Sequence, residues 1–123
     1  MISARNEIWE YIPGFNKKYK VSTVGRVKSF YRDKVNGILR KDQLRRGGYR
    51  GVILINKNKE KVNMLIHRLV AMTFIPNPLG KKDINHINLI RDHNVVSNLE
   101  WVTHQENIAH SLAIREKIKA QQD

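Results

Sequence analysis

All five histidines of this 123-residue chain, His67, His86, His93, His104 and His110, stand past position 62. Histidine is the side chain whose proton affinity lies nearest neutral pH, so it suits the movement of a proton in water. His86 follows Asn85, and Asn98, Asn107 and His110 come after it. Side-chain amides offer the oxygen donors that hard cations such as Mg²⁺ and Mn²⁺ prefer. On a helix, Asn107 and His110 sit one turn apart on nearly the same face. An imidazole that takes a proton from water, beside a cation held by amides, is equipment for hydrolysing a phosphodiester. That reaction needs an activated water, a cation near the phosphate and stabilisation of the departing 3′ oxygen. Cysteine is absent, which excludes disulfide scaffolds, thiolate zinc sites and cysteine nucleophiles.

These side chains need elements to carry them. Lys81–Ile87 is a candidate strand, Ile90–Asn98 a polar loop and Asn98–Val102 a second strand. Thr103 with Glu106 three residues later is the capping-box pattern that opens a helix. That helix is expected from about His104 to Lys119, with Ala109, Leu112 and Ala113 inward and a frayed end. His86, Asn98 and Asn107 thus fall one on each element, and short loops can bring them together. Upstream, Ile66, Leu69, Val70, Thr73 and Phe74 predict a short helix over 66–74, stopped by Pro76 and Pro78. The N-terminal half reads as short strands: Trp9–Ile12, Tyr19–Ser22 and Arg26–Phe30 around a Val24-Gly25 turn, and Tyr49–Ile55 after Gly47-Gly48. Asn56–Lys59 is a polar turn from which Lys61–Leu65 returns as the second arm of a hairpin.

The charge is uneven. Lys and Arg number 23 against 11 Asp and Glu, a net of +12. Positions 1–62 hold 16 basic and 5 acidic residues, whereas 63–123 hold 7 and 6. A half this basic is suited to nucleic acid, which it attracts through counterion release without reading bases. Lys17, Lys18, Lys20, Arg26, Lys28, Arg32, Arg45, Arg46 and Arg50 are the candidate phosphate contacts, and the hairpin Tyr49–Leu65 a candidate for a groove. No apolar run approaches the roughly 20 residues that span a bilayer. The acids within Met1–Glu10 argue against a signal peptide, so a soluble intracellular protein is expected. Trp9 and Trp101 read as core aromatics, His67 as structural, and His93 and His104 as residues without a role.

Asn85-His86-Ile87, then Asn94, Asn98-Leu99-Glu100-Trp101-Val102-Thr103, then Glu106-Asn107-Ile108-Ala109-His110, resembles the HNH homing-endonuclease family. The upstream His67-Arg68-Leu69-Val70-Ala71 and Phe74-Ile75-Pro76-Asn77-Pro78 look like the helix and proline turn before that motif. Trp9, Ile12-Pro13-Gly14, Tyr19, Val21-Ser22 and Gly25-Arg26-Val27-Lys28-Ser29 are similar to the small basic NUMOD4 module of phage and intron nucleases. The resemblance implies an α+β fold: small antiparallel β-sheets, a short central helix and a C-terminal ββα-metal unit. It divides the chain into a basic DNA-binding module, 1–62, and a nuclease domain, 63–123, which share a core because neither buries much apolar surface alone.

The implied activity is metal-dependent cleavage of double-stranded DNA by a phage- or intron-associated endonuclease, monomeric or homodimeric, in the cytoplasm of a bacterial host cell. His86 takes the role of general base on water. Asn98 orients the imidazole and braces the loop between the strands. Asn85 and Asn107 hold one Mg²⁺ or Mn²⁺, and His110 is a further ligand or a phosphate contact. The loop departs from the family pattern. Asn85 stands where many relatives carry a carboxylate, Asn88 for the common acid of the loop and Leu89 for the common glycine, which predicts a rearranged turn. That departure supports an alternative: a DNA-binding regulatory protein that keeps the frame and has lost catalysis.

Overall fold

The computed structural model describes residues 6–122; residues 1–5 and 123 lie outside it, and with them part of the Met1–Glu10 reading. The first sheet is antiparallel in chain order: β1 (Trp9–Tyr11), β2 (Tyr19–Ser22), β3 (Val27–Ser29) and β4 (Ile38–Arg40). Alternation along β2 and β3 buries Tyr19, Val21 and Val27 while Lys20 and Lys28, register partners, point away from the core. The second sheet comprises β5 (Gln43–Leu44), β6 (Arg50–Ile55) and β7 (Lys61–Leu65). The Asn56 side-chain oxygen accepts from the backbone N–H of Asn58 and of Glu60, which closes the β6–β7 hairpin. The exposed β4 and β5 carry no alternating pattern, and sequence reading misses them.

Helix α1 (Ile66–Phe74) follows β7 directly. It buries Ile66, Leu69, Val70 and Ala71 and touches strands of both sheets as well as the third, two-stranded sheet of β8 (Asp83–His86) and β9 (Leu99–Val102). The apolar core is therefore continuous from Ile12 and Val21 through Leu54 and Leu69 to Leu99. The Tyr19 hydroxyl accepts the Ile55 N–H at 3.0 Å and ties the first sheet to the second. Position 62/63 falls inside β7. The expected α+β architecture is the one observed.

Helix α2 runs His104–Gln122. Its start is the expected capping box: Glu106 N–H donates to Thr103 Oγ1 at 3.1 Å, and Thr103 N–H donates to Glu106 Oε1 at 2.9 Å. Its inward face is not the expected one. Ala109, Leu112 and Ala113 are exposed, and Asn107, His110, Ser111 and Ile114 turn inward. The helix docks on β8 and β9, where its polar residues meet the cleft described below, and Leu112 is left exposed. Trp101 packs against the core, and its indole N–H donates to Ile75 O at 3.0 Å. Trp9 is only half-buried, with the Lys28 ammonium 4.3 Å above its ring.

Candidate active site

His86 ends β8, Asn85 precedes it, and Asn107 lies one turn into α2. The pairing of β8 with β9 and the docking of α2 on both bring all three to one polar cleft of about 120 Å³. Leu89 and Arg91 from the β8–β9 loop, Ser111 and Arg115 from α2, and Tyr49 from the segment before β6 complete the walls. Ser111 and Arg115 follow Asn107 at the four-residue spacing of one helix face, a signal present in the sequence. Tyr49 is far away in the chain and carries no local signal.

The His86 ring is held from two sides. Its Nε2 lies 2.8 Å from the side-chain oxygen of Asn94. An amide oxygen only accepts, so Nε2 carries the hydrogen and Nδ1 keeps its lone pair. The ring packs 5.0 Å, centroid to centroid, from that of His67, which in turn lies 5.2 Å from Tyr49. Burial lowers the His86 imidazole below the usual histidine range, the Asn94 bond opposes that shift, and Arg91 and His93 add to it. The ring is accordingly neutral at neutral pH and can accept a proton at Nδ1. His67 is buried, its Nδ1 has no partner among the described residues, and burial pushes it down to about 4.

Among the described residues Asn98 makes no side-chain hydrogen bond to His86, where the resemblance implied one. Its oxygen accepts the Asn88 N–H at 3.1 Å, and its nitrogen donates to Asn88 Oδ1 at 3.0 Å and to His93 O at 2.9 Å. It braces the loop, as the resemblance implies, and Asn94 orients the ring instead. The reason lies in the N-terminal half. The turn after β2 clasps this loop: Thr23 O accepts the Val96 N–H at 2.9 Å. Gly25, at φ +84°, lies so close that a Cβ there would meet Asn94 Cβ at 3.0 Å and Asn94 O at 3.1 Å. The loop keeps its turn without glycine. Leu89 takes φ +63°, its N–H donating to His86 O at 2.8 Å. That conformation costs a non-glycine residue about 1 kcal/mol, offset by the Asn88–Asn98 amide network.

His110 is not among the cleft residues. Its Nε2 donates to Ile87 O at 2.8 Å and ties α2 to the loop after β8. The amides of Asn85 and Asn107 both line the cleft. Among the described residues no three His, Cys, Asp or Glu side chains converge. Two hard amide oxygens suit Mg²⁺ or Mn²⁺, which take further oxygens from water and phosphate.

The nine basic candidates divide. Arg26 is paired with Glu7, Arg50 with Asp42 at 3.0 Å, and Arg45 donates to Gln43 and Asn63. Lys20 stands 4.6 Å from the Tyr11 ring, Lys28 over Trp9 and Lys18 5.3 Å from Tyr31, each without a carboxylate partner among the described residues. Lys17, Arg32 and Arg46 are exposed. The β6–β7 hairpin, a candidate for a groove, has Val52 and Leu54 buried in the core.

A family model described as NUMOD4 motif matches residues 7–55, and one described as HNH endonuclease matches residues 64–109. The uncharacterized HNH endonuclease L247 of Acanthamoeba polyphaga mimivirus is 44% identical, over 90% of this chain and 27% of its own length. L245 of the same virus is 35% identical over 90% of this chain and 36% of its own length. DNA endonuclease I-HmuI of Bacillus phage SP01 is 30% identical over 85% of this chain and 58% of its own. A solved structure of DNA binding and cleavage by the HNH homing endonuclease I-HmuI superposes with a TM-score of 0.74 at 31% identity, over 94% of this chain and 64% of that one. The chain thus spans between 27% and 58% of the length of these three curated relatives.

Proposed function

We propose that this chain, which matches a NUMOD4 motif over residues 7–55 and an HNH endonuclease segment over residues 64–109, is a metal-dependent endonuclease that nicks duplex DNA. The observation that carries the proposal is the convergence of His86, Asn85 and Asn107 on one cleft, with the free nitrogen of His86 in its proton-accepting form. His86 Nδ1 takes a proton from a water in the cleft, and the resulting hydroxide attacks the scissile phosphate. Asn94 holds Nε2–H throughout, so the ring neither rotates nor changes tautomer. Asn85 and Asn107 would hold Mg²⁺ or Mn²⁺. When bound, the cation supplies positive charge beside the phosphate and the departing 3′ oxygen. Arg91 and Arg115 grip the phosphate from the loop and from α2. The basic residues of 1–62 hold the duplex through its phosphates, which positions it while reading few bases. One site cuts one strand, so a double-strand break takes a dimer or two events.

The relatives support a phage- or virus-borne enzyme of the homing type, acting on DNA inside the host cell. Among the described residues no helix is long and apolar enough to cross a membrane. Supercoiled plasmid incubated with Mg²⁺ tests the proposal. Wild type should convert it to open circle, and His86→Ala should be slower by about a hundredfold or more. Nicking that survives this substitution unchanged removes the base from His86.

The neutral side chains at Asn85 and Asn88 favour a second reading, a DNA-binding module without catalysis. It expects strongly salt-dependent DNA binding and no metal-stimulated nicking, and robust nicking by wild type eliminates it.

A further inference from the structure

Asn85 is almost wholly buried, yet it lines the cleft. Its register partner across the β8–β9 pair is Glu100, and its amide nitrogen donates to Glu100 Oε1 at 2.9 Å. A carboxylate only accepts, so an amide that faces it must present its nitrogen. The Asn85 oxygen is thereby turned from Glu100, and it has no hydrogen bond among the described residues. Glu100 itself is half-buried and forms no salt bridge among them. A negative charge without a cation of its own therefore stands directly behind a neutral oxygen donor.

We infer that Glu100 is a positioning residue for the cation site: it fixes which end of the Asn85 amide serves the cleft, and it supplies through that hydrogen bond the negative charge that Asn85 lacks. A charged acceptor polarises the amide and makes its oxygen a better donor, as carboxylates behind metal-bound imidazoles do. The inference rests on the cation site proposed above and extends it to a residue outside the donor set. It also explains how two neutral amides can hold a divalent ion without an acid at position 85.

The test is Mn²⁺ binding by the full chain without DNA, read from the loss of the free-ion electron paramagnetic resonance signal, with circular dichroism to verify each fold. Glu100→Gln, nearly isosteric, should weaken Mn²⁺ binding by roughly tenfold. Asn85→Asp should tighten it. In that background Glu100→Gln should no longer weaken binding, because it replaces two facing carboxylates by one and a donor. Affinity unchanged within twofold in Glu100→Gln, while Asn107→Ala loses binding, overturns the role of Glu100 and leaves the cation site standing. An equal loss from Glu100→Gln in both backgrounds also overturns it, since the coupling to position 85 is then absent. Failure of wild type to bind Mn²⁺ at millimolar concentration removes the site and the inference together. If Glu100→Gln does not fold, Asn85→Asp decides, and unchanged affinity there overturns the inference.

Discussion

In the proposed reaction the state of one imidazole governs the chemistry. Burial keeps His86 neutral further into acid than an ordinary histidine. The acid limb of the nicking rate should have its midpoint below the ordinary histidine value of 6.5, and a kcat midpoint at or above 6.5 would contradict this assignment. Asn94→Ala frees the ring, and a loss of roughly tenfold in kcat is expected with the fold intact. His67 gives a stability signature. Its folded value of about 4 lies below the ordinary 6.5, so between those two values the unfolded chain binds a proton that the folded chain does not. Stability is complete above 6.5 and is lost as pH falls toward 4, by up to roughly 3 kcal/mol. Thermal unfolding followed across that window should slope downward with acid in wild type and less so in His67→Phe.

Elements set the distances between such residues. The turn between β2 and β3 is a buttress for the loop that carries Asn94, and Gly25 permits the approach. Gly14 offers a control, because it has φ +86° and a Cβ added there would meet nothing within 4 Å. Alanine at either glycine carries the same backbone cost of about 1–2 kcal/mol. Gly14→Ala should leave nicking per folded molecule unchanged, whereas Gly25→Ala should displace Asn94 and lower it severalfold. Equal specific activities for the two variants would show that the buttress has no part in the site. Arg115 tests α2 in the same manner: Arg115→Ala should raise KM for plasmid or slow cleavage, while Arg115→Lys keeps part of the charge.

On the scale of the whole molecule, the proposed DNA association draws on a net charge of +12 and should depend steeply on salt. The structure separates paired from unpaired charges among the described residues. Lys20 and Lys28 lack carboxylate partners among the described residues and lie opposite each other in register, so Lys20→Ala with Lys28→Ala should lower the slope of log affinity against log salt by about two. Arg26 and Glu7 neutralise each other. Removing both as alanine should leave the slope nearly unchanged, and fluorescence anisotropy over a salt series distinguishes the two pairs.

The sequence by itself determined whatever depends on neighbours three or four positions apart or on alternation. The capping box at Thr103, the extent of α1, the hairpin turn at Asn56 and the order strand–loop–strand–helix are all local matters of backbone hydrogen bonding. The meeting of His86, Asn85 and Asn107 followed from that order, because a short antiparallel pair with a helix docked on it leaves little freedom. Tertiary structure decided everything that required a choice between chemically equal candidates. Asn94 and Asn98 carry the same amide, and only the curl of the loop against Gly25 assigns one to His86 and the other to the loop. Either face of α2 could have been inward until β8 and β9 presented a polar surface. The partners of Arg26 and Arg50 come from Glu7 and Asp42, contacts that periodicity does not report, and Tyr49 reaches the cleft only through the packing of β6 beside α1.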